Sequence, residues 1–235
     1  MNKQIFKNPL VVGYKGEVGS FLLNGLLRTM PKALNIWCFD INENEHERIE
    51  RIKKSDYIFL CVPIQDTVKW LIQYKPFLKD KIIVEQCSLK SIIYENKEIK
   101  NLNYISMHLL FRPSATPNKE DRRCIILNNN KFHKEIMSLN IIGDFIHEIT
   151  NAEIVWLSDY TEHDKLMAKR QALIHKVILA LDKTMEEGTD TYTSSQIRKL
   201  ALRIKAGNKE LYSFIQTNKY LSEALEKFKN NLTNG

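Results

Sequence analysis

Short apolar runs alternate with helical patterns over the first two-thirds of the chain. The run at 57–62 has the sequence YIFLCV and is closed by Pro63, and the runs at 82–84 and 124–127 are equally apolar. Strands without polar alternation are typical of a sheet that is covered on both faces, and parallel strands need helical connections between them. This part of the chain is therefore predicted to fold as a parallel α/β sheet with helices on both sides.

From Thr161 the pattern becomes helical throughout. The segment from Thr161 to Asp164 resembles a capping box, with acidic groups in the first helical turn. Apolar side chains then recur at helical spacing as far as Leu181. We predict an α/β domain of residues 1–158, followed by a short all-α domain of residues 159–235.

Length and charge narrow the class of protein. The 235 residues suffice for one domain of ordinary size and a smaller second one. All apolar runs are shorter than the roughly 20 residues of a membrane-spanning helix, and the N-terminus lacks the features of a secretory signal. The formal net charge is +7, but the lysines are mixed with acidic residues and are not interleaved with aromatic ones. We expect a cytoplasmic protein without a nucleic-acid or membrane partner, whose basicity would steer an anionic cofactor and a di-acid substrate.

The cysteines show no ligand pattern. Cys38, Cys61, Cys87 and Cys124 lie far apart, without CxxC or Cys/His spacing, and three of them fall inside apolar runs. Such cysteines are typical of buried reduced thiols, and neither a disulfide nor a metal site is expected.

A glycine-rich loop follows the first predicted strand and opens a helix. Its spacing is GxxGxxG, a variant of the dinucleotide-binding fingerprint, in which a pyrophosphate lies at the N-terminus of the helix. Asp40, at the end of the next predicted strand, is placed to accept hydrogen bonds from a ribose and to repel a 2′-phosphate. We predict NAD as the cofactor; the alternative is a structural turn beside a solvated Asp40. The residues of the loop are Gly13, Tyr14, Lys15, Gly16, Glu17, Val18 and Gly19.

Candidate chemical groups follow three later strands. Val62, Pro63 and Gln65 follow one strand, Ser88 and Lys90 the next, and His108 closes another. Ligands of open α/β sheets bind outside the carboxyl ends of the strands, so these groups are expected near a nicotinamide ring. Histidine suits hydride chemistry because it can accept the alcohol proton as hydride leaves. From position alone, His108 could equally be a capping or core histidine.

Four motifs occur in the order found in one enzyme family. Residues 60–64 (LCVPI), 87–90 (CSLK) and 107–113 (MHLLFRP) are similar to its SVP, SvK and HPMFGP motifs. Most specific is the helix at 161–175, where EHD and QALIH match the pattern EHD…QALxH. On these motifs the chain resembles the prephenate/arogenate dehydrogenases of tyrosine biosynthesis, and the resemblance covers nearly its whole length.

This resemblance implies a Rossmann-type sheet domain followed by helices that bind substrate and form a homodimer. It also implies NAD-dependent oxidative decarboxylation, with His108 as the base and Ser88 orienting it. The implied substrate-binding residues are Arg203, with Arg198 as a rival, Lys90, Gln171 and His175. His163 and His175 could have either a structural or a catalytic role.

The chain departs from the family pattern at three positions. Leu109 replaces the proline of HPMFGP, Arg112 replaces its glycine, and Tyr14 replaces a frequent glycine in the first loop. These changes leave the cofactor site intact but keep two alternatives open. One is a related NAD-dependent dehydrogenase, and the other is a non-catalytic NAD-binding paralogue specific for another cyclic acid.

Overall fold

The computed structural model describes residues 7–30, 35–115, 118–128, 139–185, 188–207 and 209–234. The chain forms two compact units, Met1–Tyr160 and Thr161–Gly235.

The first unit is built on a seven-stranded sheet in the order β2-β1-β3-β4-β5-β6-β7. The strands are β1 (Pro9–Val12), β2 (Trp37–Phe39), β3 (Tyr57–Leu60), β4 (Ile82–Glu85), β5 (Asn103–Leu109), β6 (Arg123–Leu127) and β7 (Glu153–Leu157). Its helices are α1 (Glu17–Thr29), α2 (Glu45–Lys54), α3 (Ile64–Tyr74), α4 (Ser91–Tyr94) and α5 (Leu139–Thr150).

The sheet is mostly parallel, as predicted, but its last two strands run in the opposite direction to the first five. Strands β1 to β5 pair in parallel, but β6 pairs antiparallel to β5, and β7 runs parallel to β6. A parallel neighbour needs a crossover connection, usually a helix. In its described part, the connection from β5 to β6 contains only the short 3-10 turn Lys119–Asp121. The chain therefore returns beside β5 in the opposite direction.

The core lies on both faces of the sheet. All residues of β1, β3 and β4 are buried, as the apolar runs predict. On one face, Ile105, Met107 and Leu109 of β5 pack in a cluster with residues of α1 and α5. Each fully buried aliphatic side chain contributes about 1.5–3 kcal/mol to folding. Because side chains alternate along a strand, Ser106 and His108 point to the opposite face.

The second unit consists of short helices around a small apolar cluster. They are α6 (Tyr160–Met167), a π-helical segment (Ala168–Ala172), α7 (Leu173–Thr184), α8 (Tyr192–Ala206), α9 (Lys209–Gln216) and α10 (Leu221–Thr233). Ala172, Ile215 and Leu221 form the buried cluster, and Thr191 caps α8 by accepting a hydrogen bond from the Ser194 amide. Within the described ranges, no helix is both long and apolar enough to cross a membrane.

Candidate active site

A pocket of about 350 Å³ opens at the carboxyl ends of β1, β2 and β3. Because β1 lies between β2 and β3, the strand order reverses here, and such a switch point is where open α/β sheets bind ligands. The pocket is lined by Val12, Gly13, Gly16, Phe39, Asp40, Ile41, Arg48, Cys61, Val62, Pro63, Asp66 and Trp70. The fold thus brings the first glycines of the loop, the acidic residue after β2 and the turn after β3 together.

The glycine loop passes very close to neighbouring backbone. Gly13 has a φ of +78°, and a Cβ there would lie 2.6 Å from the carbonyl oxygen of Cys61. A Cβ on Gly19 would lie 2.1 Å from the carbonyl oxygen of Gly13. Only glycine fits at either position, so the loop folds tightly under the start of α1. The helix begins at Glu17 without a side-chain cap, which leaves backbone N–H groups for an anion.

Asp40 follows β2 and is held by the backbone. Its Oδ1 accepts a hydrogen bond from the Ile41 amide at 2.8 Å, and its Oδ2 accepts one from the Lys15 amide at 3.1 Å. A carboxylate has about four acceptor sites, so two remain for the hydroxyls of a ribose. The glycine loop and Asp40 are thus joined directly by a hydrogen bond.

Arg48 of α2 is a pocket residue that the sequence did not reveal. It lines the pocket with Asp40, and its Nε is buried without a hydrogen-bond partner among the described residues. A buried donor without a partner costs about 1–3 kcal/mol, so a polar ligand group in the pocket would relieve this cost. Since α2 is charged at most positions, only the fold shows which side chain points to the pocket. The glycine cradle, Asp40 and the Arg48 Nε together fit an adenine dinucleotide.

Not every predicted cofactor residue lines this pocket. Gly13, Gly16, Asp40, Val62 and Pro63 do. Tyr14, Lys15, Glu17, Val18 and Gly19 belong to the loop and the first turn of α1, and Gln65 lies in the first turn of α3. The cofactor-binding role of all eleven residues stays a prediction, and the pocket supports it for the five that line it.

A buried ion pair joins the ends of β4 and β5. The Lys90 ammonium donates to Glu85 Oε1 at 2.8 Å and to the carbonyl of Met107 at 2.7 Å, and both charged side chains are at most 1% exposed. Glu85 Oε2 accepts a hydrogen bond from the Cys87 amide at 2.8 Å. The pair therefore ties the loop that carries Ser88 to the strand that carries His108. Because the protein itself encloses the Lys90 ammonium, the geometry favours a positioning role for Lys90 over the substrate contact expected from the sequence.

Ser88 and His108 lie at neighbouring strand ends. His108 is the penultimate residue of β5 and is 6% exposed, and Ser88 is half-buried in the loop after β4. Strands β4 and β5 are paired in parallel with Glu85 opposite Ser106, so both residues fall at the same edge of the sheet. The expected hydroxyl and imidazole thus share one region of the unit.

Tyrosines pack on the His108 face of β5. The Tyr94 hydroxyl bonds to Ser106 Oγ at 2.7 Å, and its ring stacks on Tyr160 with the centroids 5.1 Å apart. Burial raises the pKa of Tyr94 and of Tyr104 above the ordinary value, so both stay protonated at neutral pH. They add no charge to this region.

All four cysteines are free; Cys87 and Cys124 are buried, whereas Cys38 and Cys61 are only partly buried. Burial raises the pKa of Cys61 and of Cys124 to about 12, so these thiols stay protonated at neutral pH. Cys61 lines the pocket, and its Sγ accepts a hydrogen bond from Gln86 Nε2. It contributes shape to the site and no nucleophile.

Two proteins of known name are similar in sequence. A Methanocaldococcus jannaschii protein named "Probable arogenate/prephenate dehydrogenase" is 28% identical over 149 residues, which cover 62% of this chain and 32% of that protein. The Saccharomyces cerevisiae protein "Prephenate dehydrogenase [NADP(+)]" is 29% identical over 133 residues, which cover 55% of this chain and 28% of that protein. Both of these similar proteins are named as prephenate or arogenate dehydrogenases. The chain matches about a third of the length of these relatives, and no family model matches it.

Solved structures share the fold. Prephenate dehydrogenase from Aquifex aeolicus, in complex with hydroxyphenyl propionate and NAD⁺, superposes with a TM-score of 0.72 at 17% identity. The match covers 97% of this chain and 88% of that one. Pyrroline carboxylate reductase from Plasmodium falciparum, with NADP bound, gives a TM-score of 0.52 at 16% identity. The predicted class, a Rossmann-type sheet followed by helices, is confirmed.

Two predicted substrate residues lie around the π-helical segment of the second unit. Gln171 belongs to this segment, and His175 follows it in α7, stacked on Tyr212 with the centroids 6.2 Å apart. Gln171 Oε1 and His175 Nδ1 are buried and lack hydrogen-bond partners in the described part of the chain. Burial lowers the pKa of His175, so its imidazole is neutral at pH 7. π-Helical turns are frequent at functional sites, which supports keeping both residues as candidates.

The two candidate arginines of α8 differ in their surroundings. Arg198 Nε pairs with Asp190 at 2.9 Å, and this bond, with one from Ser194, holds the pKa of Asp190 below its ordinary value. Arg203 is exposed, and no acceptor for it is found among the described residues. Arg203 is therefore the better candidate for a substrate carboxylate.

His163 is buried beside Asp164 in its own unit. Its Nδ1 lies 2.8 Å from Asp164 Oδ1, and both side chains are at most 1% exposed. The carbonyl of Asp164 accepts a hydrogen bond from Asn218 Nδ2 at 2.7 Å. This buried arrangement ties α6 to the turn before α10 and supports the structural alternative for His163.

Proposed function

We propose that the chain is a cytoplasmic, NAD-dependent dehydrogenase that oxidatively decarboxylates prephenate or arogenate in tyrosine biosynthesis. The observation that carries the proposal is the dinucleotide pocket at the β1–β3 switch point, with Ser88 and His108 at the ends of the next strands in the sheet. Relationship to the prephenate/arogenate dehydrogenases supplies the substrate class.

The chemistry follows from the groups at this edge of the sheet. When bound, NAD supplies the hydride acceptor. His108 hydrogen-bonds the ring hydroxyl and accepts its proton as hydride leaves the same carbon, and Ser88 orients both groups. The loss of carbon dioxide then follows readily because it leaves an aromatic ring. The buried Glu85–Lys90 pair keeps the two strand ends in register during these steps.

The proposal is tested by mixing the protein with NAD and prephenate, then with NAD and arogenate, and following NADH. NADH formation with either substrate supports it. The two alternatives give different results: a hydroxyacid dehydrogenase would act reversibly without releasing carbon dioxide, and a non-catalytic paralogue would bind NAD without turnover. The changes at Leu109 and Arg112 are the features that favour the paralogue.

Asp40 is expected to make the protein prefer NAD to NADP, because a 2′-phosphate beside a carboxylate suffers like-charge repulsion. Asp40→Ser removes this repulsion and leaves the Arg48 guanidinium. We expect the ratio of the dissociation constants for NADP and NAD to fall about tenfold, which is equivalent to ~1.4 kcal/mol. Calorimetric titrations with NAD and with NADP measure both dissociation constants. Asp80→Ser is the control, because Asp80 is exposed. If the native protein binds NADP more tightly than NAD, the role given to Asp40 is contradicted. The comparison is informative because the similar yeast protein is named for NADP.

Arg203 is expected to bind a substrate carboxylate, since a guanidinium matches that geometry in bidentate fashion. Arg203→Ala should raise KM by the equivalent of ~2–5 kcal/mol, the cost of losing one partner of a desolvated charge pair. Initial rates at varied substrate measure the effect, with the exposed Arg170→Ala as a matched control. A larger effect from Arg198→Ala would transfer the role to Arg198, and no effect from either would remove α8 from the substrate site.

We further propose a homodimer formed through the helical unit. Ile174 and Leu181 of α7 are 46% and 44% exposed, and Leu200 and Leu202 of α8 are 42% and 63% exposed. A stable dimer would cover such side chains with an interface of about 2,000 Å² or more. Light scattering at micromolar concentration should give twice the chain mass. Leu202→Glu should lower the measured mass towards that of one chain, whereas Leu232→Glu in α10 should leave it unchanged. A monomeric native protein would contradict the proposal.

A further inference from the structure

The loop after His108 is fastened to the first turn of α1. Glu17, the first residue of that helix, accepts hydrogen bonds at Oε1 from the amide of Ser114 at 2.8 Å and from the Ser114 hydroxyl. Its Oε2 accepts a hydrogen bond from Arg112 Nε at 2.9 Å. Both carboxylate oxygens of Glu17 are thus engaged by the segment that follows β5.

Aromatic contacts hold the same two segments together. The Phe111 ring meets the Phe21 ring of α1 edge to face, with the centroids 5.6 Å apart. The guanidinium of Arg122 lies 5.5 Å from the centroid of each ring. These contacts fix the loop and keep Arg112 near the start of α1.

Glu17 is an unfavourable neighbour for a dinucleotide phosphate. It follows Gly16 of the glycine loop, and the start of this helix is where a pyrophosphate would bind. Partial burial raises the pKa of Glu17, but the hydrogen bonds from Ser114 and Arg112 outweigh this effect and hold the pKa below its ordinary value. The carboxylate is therefore ionised at neutral pH, and an anion placed beside it is repelled unless a cation lies between them.

Arg112 is available to be that cation. Its side chain is 68% exposed, and its Nε alone is committed, to Glu17. The two Nη groups have no hydrogen-bond partner in the ranges that the structure describes. A guanidinium held at one nitrogen can still present two parallel donors to a phosphate.

We propose that Arg112 is a cofactor-phosphate ligand, which Glu17 positions at the start of α1 and which contacts the pyrophosphate of the bound dinucleotide. The proposal rests on the proposed function, since it requires the dinucleotide pocket. It concerns a position at which the HPMFGP-like motif departs from its family pattern, with Arg112 in place of glycine. The loop that follows His108 would then contribute directly to cofactor binding.

The test compares two probes in calorimetric titrations. ADP-ribose contains the pyrophosphate, and adenosine lacks it. Arg112→Met should weaken ADP-ribose binding about tenfold or more, the loss expected for a charge-assisted hydrogen bond, and should leave adenosine binding unchanged. Arg123→Met is the matched control, because Arg123 is also exposed and pairs with a glutamate, Glu153 in β7. It should change neither constant.

A double variant separates direct contact from simple neutralisation of Glu17. If Arg112 contacts the phosphate, Glu17→Gln/Arg112→Met should bind ADP-ribose at least fivefold more weakly than Glu17→Gln alone. Equal affinities of these two variants, or equal affinities of Arg112→Met and the native protein, would overturn the proposal. A native protein that binds neither ADP-ribose nor NAD would overturn the proposed function as well, so the two failures are distinguishable.

Discussion

His108→Asn is expected to lower kcat by about 10²–10⁴, the usual contribution of a general base. Asparagine keeps a hydrogen-bonding group of similar size at the end of β5 but cannot accept the substrate proton. The affinity for NAD should change little, because His108 lies beyond the residues that line the dinucleotide pocket.

Steady-state kinetics and an NAD titration of the same preparation measure both quantities. His46→Asn is a suitable control, since His46 is exposed in the first turn of α2. An unchanged kcat in His108→Asn would remove His108 from the mechanism. A large loss of NAD affinity without a loss of kcat would assign it to cofactor binding.

Lys90→Met is expected to have the largest effect on stability. Removing one partner of a buried ion pair leaves an uncompensated charge, which costs about 3–5 kcal/mol of the free energy of unfolding. In this variant the Glu85 carboxylate would stay buried, and the link to the Met107 carbonyl would be lost. Lys90→Met/Glu85→Leu should recover much of the loss, because an apolar pair of similar volume avoids the buried charge.

Chemical denaturation of the three variants measures these free energies. Lys53→Met is the matched control, because the Lys53–Glu50 pair is exposed and should contribute less than about 1 kcal/mol. Equal losses in Lys90→Met and Lys53→Met would show that the Glu85–Lys90 pair does not stabilise the junction of β4 and β5.

The parts of this site that are local in sequence were predictable. A GxxGxxG loop after a strand and an acidic residue at the next strand end need no knowledge of distant contacts, because spacing alone places them at one edge of a parallel sheet. The helical pattern after Thr161 likewise marks the change between the two units. These features follow from periodicity and glycine geometry.

The parts that depend on distant packing were not predictable. An apolar run carries no information on direction, so the reversal of β6 and β7 could not be inferred. Nothing in α2 distinguishes Arg48, which only the packing of that helix brings to the pocket. The burial of Lys90 could have been inferred from one feature of the sequence. Glu85 is a charged residue at the end of an otherwise apolar strand, and a buried charge needs a partner of opposite charge.

The most direct test of the central claim is the stoichiometry of the reaction. The protein, with NAD and either prephenate or arogenate, should yield NADH, carbon dioxide and the aromatic product in equal amounts, and His108→Asn should suppress all three together. NADH formed without carbon dioxide would identify a different dehydrogenase. NAD bound without NADH from either substrate would contradict the proposed reaction.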